Sequence, residues 1–144
     1  MKLSFKKLHA KAQAPEYHSA EAAGADLHAC LDESVDIAPG EIELIKTGFA
    51  LDIPRGYEVQ LRPRSGLALK HGITVLNSPA TIDSDYRGEI MVILINHGKE
   101  IFRIEHGERI AQMVVAKHET VELQEVDELS ETARGTKGLG STGK

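Results

Sequence analysis

Tryptophan is absent from the 144 residues, and phenylalanine and tyrosine together supply only 4% of them. Any core must therefore be built from aliphatic side chains. A single cysteine, Cys30, excludes an internal disulfide. Met1 to Ala10 carries basic residues with no continuous apolar stretch behind them, which does not read as a secretory signal. The expected compartment is a reducing cytoplasm. The longest apolar run, Ile90 to Ile95, has six residues, against the ~20 needed to span a bilayer, so no membrane association is expected. Basic charge is also lacking: the net charge is −5 and the pI near 5.8. That argues against binding a nucleic acid polymer, although converging arginines can still hold a small anion. The histidines, at 9, 18, 28, 71, 97, 106 and 118, give no zinc-like spacing with Cys30 or with each other.

What is present fits one globular β domain. The hydrophobic fraction of 41% and charged fraction of 27% exclude a disordered chain. Thirteen glycines and five prolines imply many turns. Tyr57, Val59 and Leu61 alternate with polar residues as in a half-buried strand. Glu41 to Lys46 reads the same way, with Ile42 and Leu44 on one face, and Phe49, Leu51 and Ile53 continue the alternation. The β-branched run Ile90 to Ile95 predicts a strand buried on both sides. Arg109 to Ala116 and Thr120 to Val126 are further strand candidates. Turn signals separate these segments at Pro39-Gly40, Pro54-Arg55-Gly56, His97-Gly98 and His106-Gly107. The spacing suggests a sandwich or jelly roll. One short helix is expected, capped by Ser65, carried by Leu67 to Lys70 and ended at Gly72.

The C-terminal composition is abrupt. Glu119 to Glu131 holds six acids and no bases, whereas Arg134 to Lys144 holds three bases and no acids. The latter segment has almost nothing apolar to bury and alone should be disordered. Its glycines would let backbone N–H groups face phosphate oxygens, with Arg134, Ser141 and Thr142 as further donors. Arg62-Pro63-Arg64-Ser65-Gly66 is a second anion candidate. In Asn77 to Glu89, Asp83 could polarise a water and Tyr86 could pack on a sugar; a hairpin tip with solvated carboxylates is the plain alternative.

In this order the segments resemble five motifs of the trimeric dUTPase family. They are Ala23-Gly24-Ala25-Asp26-Leu27, Arg62 to Ala68, Asn77 to Gly88, Gly107 to Gln112, and Arg134 to Gly143. The resemblance implies an all-β, distorted jelly-roll-like subunit with one short helix, residues 1–130, and a glycine-rich C-terminal arm, residues 131–144. It implies a homotrimer with active sites at subunit interfaces, each closed by an arm. The implied reaction is hydrolysis of dUTP to dUMP and pyrophosphate by water attack at the α-phosphorus, with Mg2+.

Residue roles follow from the same resemblance. Asp83 matches the catalytic aspartate that activates the water, and Asn77 the residue that hydrogen-bonds uracil. Thr81, Ile82 and Met91 match the lining of the base pocket, and Tyr86 the ring beneath the deoxyribose. Arg64, Ser65, Gly66 and Gln112 match phosphate contacts. Asp26 matches the carboxylate that holds Mg2+ through water. Arg134, Gly140, Ser141 and Thr142 match arm residues over the β- and γ-phosphates, and Leu139 stands where the family usually stacks a phenylalanine on the uracil.

Lys137 and Ala80 each replace a common glycine, and Ala80 would be strained if its position needs φ > 0. These departures imply an enzyme whose arm closes less tightly. Two rivals remain: a deaminase of dCTP on the same fold, and a nucleotide-binding module with impaired hydrolysis. Cys30 is expected to be a buried, inert thiol, and His71 a surface residue.

Overall fold

In the computed structural model residues 1–138 are described, so Leu139, Gly140, Ser141 and Thr142 lie outside the described residues. Among the described residues ten strands form three sheets, accompanied by one helix. The first sheet orders β1 (Ser4–Lys7), β4 (Ile42–Asp52), β8 (Glu89–Asn96) and β6 (Ile73–Val75). The second orders β2 (Ala25–His28), β10 (Arg109–Lys117), β5 (Tyr57–Arg62) and β7 (Ala80–Ile82). A two-stranded sheet pairs β3 (Val35–Ile37) with β9 (Phe102–Ile104). Every pairing is antiparallel, and the result is the expected all-β, jelly-roll-like fold. No helix among the described residues is long and apolar enough to cross a membrane.

The core is aliphatic, as the missing aromatics require. Leu27, Ile45, Leu61, Ile90 and Leu94 are fully buried, with Phe49 the one aromatic ring among them. Asn96, at the end of β8, is also fully buried. Its amide N–H group donates to the Ile37 and Glu100 carbonyls, each at 2.8 Å, and its Oδ1 accepts from Gly98 N–H at 2.8 Å. This one side chain thus joins β8, β3 and the turn before β9 without an unpaired polar atom.

Several expectations change on contact with the structure. The run Ile90 to Ile95 is buried on one side only: Ile90, Val92 and Leu94 face the core, and Met91, Ile93 and Ile95 are half-exposed. Ile42 and Leu44 do share a face, but it is the outer one, and they stand opposite Ile95 and Ile93. The inward set is instead Ile45, Thr47, Phe49 and Leu51, with which Ile42 and Leu44 are out of phase. Between Lys46 and Ala50 the register slips by two residues against β8, which keeps that parity. Gly48 in this bulge adopts φ +75°, where a side chain would collide with Cys30 and Ala12, and Thr47 to Leu51 are all buried.

The helix α1 (Ser65–His71) ends at Gly72 in the left-handed region (φ 69°), as expected. Its N-cap, however, is Arg64 in extended conformation without a side-chain cap bond, and Ser65 is the first helical residue. Ala80 is unstrained: no non-glycine residue among those described has positive φ, and Ala80 lies buried in β7 opposite Leu61. Thr120 to Val126 forms no strand. Beyond β10, residues 118–138 are exposed and hold neither strand nor helix.

Candidate active site

Two groups of the expected residues assemble in different places. The first surrounds the connection from β7 to β8, the segment expected as a hairpin and termed the hairpin, although its two strands lie in different sheets. Thr81, Ile82, Asp83, Tyr86 and Met91 line one cavity of about 300 Å3, with Leu44, Glu89 and Ile93 completing its wall. The hairpin is braced at its base. The Glu89 carboxylate accepts from Gly48 N–H at 2.9 Å, and the Thr47 hydroxyl donates to the Ile90 carbonyl at 2.6 Å. Tyr86 folds over Gly88, and its hydroxyl donates to the Glu89 carbonyl at 3.1 Å. A Cβ on Gly88 would overlap the Tyr86 ring, so glycine there permits the ring's placement.

Asp83 is exposed at the turn, where its carbonyl accepts from Tyr86 N–H at 3.2 Å. It borders both the hairpin cavity and a second, open one shared with Ser84, Asp85, Arg87 and His118. Asp85 reaches only the latter. Asn77 is exposed between β6 and β7 and is not among the residues lining the hairpin cavity.

The second group lies across the other sheet. Gln112 of β10 stands between Asp26 of β2 and Arg62 of β5. Its amide donates to the Pro63 carbonyl at 2.9 Å, and it leaves no room for a side chain on Gly24. Asp26 is buried and is surrounded by two arginines and a histidine. Arg64 Nε donates to Oδ1 at 3.2 Å, while Arg109 and His18 meet Oδ2 at 3.3 and 3.2 Å. Arg64 and Arg109 also line a cavity of about 440 Å3 with His18, His28 and Glu108. His28 is buried with its Nδ1 unpartnered, and burial lowers its pKa against the opposing pull of Asp26. The hairpin cavity and this cavity have no lining residue in common. In sheet order three strand spacings separate β2 from β7, or about 14 Å.

Arg109 and His18 were not singled out from sequence. In a regular strand, positions 109 and 112 face opposite sides. Here the register shifts between Arg109 and Ala111, so Arg109 pairs with His28 while Gln112 pairs with Asp26. The bulge turns both side chains to one face and sends Ile110 and Ala111 together into the core. Alternation alone gives no hint of this.

Some residues stand apart from both groups. Arg134 donates from Nε to the Lys137 carbonyl at 2.9 Å within an exposed turn, away from both cavities. Cys30 is buried and its pKa raised by desolvation, in keeping with an inert thiol. His71 is exposed and its ring rests against Phe102, 5.1 Å between centroids.

As a donor set for a metal, the second cluster offers the Asp26 carboxylate, with Glu16 and Glu108 on the cavity wall, and no group of three His, Cys, Asp or Glu side chains among the described residues could form a cage. That chemistry fits a Mg2+ that keeps its waters and is carried by phosphate oxygens, with Asp26 accepting from a coordinated water.

The dUTPase family model matches residues 10–143. A deoxyuridine 5'-triphosphate nucleotidohydrolase of Nautilia profundicola is 62% identical over 144 residues, covering 100% of both chains. Among solved structures, the dUTPase of Staphylococcus bacteriophage 80alpha with dUpNHpp superposes with a TM-score of 0.89 at 31% identity, over 99% of each chain. A mutant dUTPase from phage phi11 of S. aureus, described with a coordinated structural Mg(II) ion, gives a TM-score of 0.81 at 26% identity, over 89% of this chain and 98% of that one.

Proposed function

The chain belongs to the dUTPase family, and from that premise we propose that its dUTP diphosphatase activity resides in a site divided between subunits of a homotrimer. It hydrolyses dUTP to dUMP and pyrophosphate. In this reading the hairpin cavity takes the nucleoside, and the Arg64–Gln112–Asp26 cluster of another subunit takes the triphosphate. The observation that carries it is the separation of the two clusters within one chain. The outer apolar face formed by Ile42, Leu44, Ile93 and Ile95 runs up to the hairpin cavity, and supports association there.

Asp83 is the general base. It is the aspartate of this turn that borders the nucleoside cavity while remaining open to water. It orients a water and accepts its proton as the oxygen attacks the α-phosphorus. Thr81, Ile82 and Met91 bound the base, Asn77 reaches its polar edge from a neighbouring turn, and Tyr86 lies under the sugar. A fixed hydrogen-bonding edge rejects cytosine because mismatched groups would be left unpaired. Arg64, Ser65, Gly66 and Gln112 hold phosphate oxygens. Mg2+, when bound, neutralises triphosphate charge; Asp26 would hold it through water. Residues 131–144 form the arm that closes the site, where Arg134, Leu139, Gly140, Ser141 and Thr142 exclude water and add donors.

The activity removes dUTP before polymerases can use it and supplies dUMP for thymidylate synthesis; a cytoplasmic setting suits both. Pyrophosphate release measured separately with dUTP, dCTP, dTTP and UTP tests the site. Release from dUTP alone is expected. Ammonia from dCTP, or tight dUTP binding without turnover, would instead identify one of the rivals.

A further inference from the structure

The cluster around Asp26 contains an unassigned residue with two separate grips. Arg109 donates from its guanidinium to Asp26 Oδ2 at 3.3 Å, and its main-chain carbonyl accepts from the Arg64 guanidinium at 3.2 Å. Arg64 in turn donates from Nε to Asp26 Oδ1 at 3.2 Å. An arginine therefore stands on each oxygen of one carboxylate, and His18 Nε2 shares Oδ2 with Arg109 at 3.2 Å. With both oxygens held, the carboxylate cannot turn about its Cβ–Cγ bond. The β10 bulge is what brings Arg109 to this face.

We propose that Arg109 is a positioning residue, fixing the Asp26 carboxylate in the orientation that receives the metal's coordinated water. The proposal rests on the reading of Asp26 given above. Arg109 touches neither substrate nor metal in this role. Its side chain orients Asp26, whereas its carbonyl tethers Arg64. A substitution at 109 removes the guanidinium from Oδ2, leaving only the His18 contact there, and keeps the carbonyl tether on Arg64. Arg64 then stays available to phosphate while Asp26 is held less firmly on its Oδ2 side. Loss of Arg109 should thus weaken the metal-dependent part of nucleotide binding and leave the metal-free part nearly intact.

The test is the Kd for dUpNHpp, measured by calorimetry with Mg2+ and again in EDTA, on the full-length protein. In Arg109→Met the Mg2+ enhancement should fall about fivefold, the size of one partly exposed charge-assisted hydrogen bond. The EDTA value should move less than about twofold, as expected when no phosphate contact is lost. Arg109→Lys should recover part of the enhancement by keeping a cation near Oδ2. If Arg109→Met does not fold by thermal melting, the Lys variant's reduced enhancement carries the test alone. Equal weakening with and without Mg2+ would make Arg109 a structural strut and overturn the proposal, as would an unchanged enhancement. Asp26→Asn separates the two layers: full enhancement in that variant would remove the reading of Asp26 itself, whatever Arg109 does.

Discussion

Replacing Ile42 with lysine should dissociate the proposed trimer and silence the enzyme without unfolding the subunit. Ile42 is 52% exposed on the outer face of β4, opposite Ile95 and two pairs along from Leu44 and Ile93. It does not line the hairpin cavity, so the substitution leaves the nucleoside pocket untouched. Fully burying an isoleucine is worth about 1.5–3 kcal/mol, so covering its exposed half contributes about 1 kcal/mol per copy. Lysine forfeits that and must lift its ammonium out of an apolar contact, for a total of roughly 2 kcal/mol per copy. Over three copies this is ~6 kcal/mol, or about four powers of ten in the trimer's association constant. Sedimentation velocity at micromolar concentration should show monomer, with a far-ultraviolet spectrum unlike that of an unfolded chain. Specific activity should fall steeply on dilution. A monomeric Ile42→Lys protein with full activity at every dilution would refute the reasoning, and so would a trimer as tight as the parent's.

Other expectations follow from particular contacts. Asn96→Ala removes the three hydrogen bonds of a buried side chain, one fully and two partly buried, and should lower stability by about 3 kcal/mol in urea melting. Gly88→Ala should push Tyr86 off the hairpin, raising KM for dUTP several-fold with kcat less affected; an unchanged KM would detach Tyr86 from substrate binding. His28 is held neutral, chiefly by burial, below its ordinary pKa of 6.5. As pH falls through 6.5 the unfolded chain takes up a proton that the folded ring resists, so stability declines on the acid side. The melting temperature of His28→Gln should fall less steeply between neutral and mildly acidic pH.

The parts of the fold legible from sequence are those with enough residues to display a period. β5 alternates over several residues, and α1 ends at a glycine that the left-handed turn requires. β3, β6, β7 and β9 have three residues each, too few for alternation to separate them from turns. The pattern failed elsewhere. In β4 the apolar pair Ile42 and Leu44 is out of phase with Ile45, Phe49 and Leu51, which take the core, and in β10 the slip at Arg109–Ala111 hid Arg109 from the Asp26 cluster. That slip is a tertiary event, in which an extra residue is accommodated by the facing strand rather than announced by its own type. Val121 and Leu123 alternate as a strand would, yet lie exposed; a strand also needs an edge to pair with, which composition does not supply.

The site was legible in a different way. Asp26, Arg64, Asp83 and Gln112 were picked out through the order of five short motifs, and the structure brings Asp26, Arg64 and Gln112 together while leaving Asp83 on the far hairpin. That partition has a direct test. Asp83→Asn and Arg64→Ala, each expected to be inactive alone, would be mixed, dissociated and reassembled in equal amounts, and dUTP turnover measured. If the hairpin of one subunit works with the phosphate cluster of another, random assembly pairs two intact halves in about a quarter of the sites, and activity should return to about that fraction of the parent's. If each chain carries a complete site, no pairing can restore it, and a mixture that stays inactive although mixed trimers have formed would contradict the account.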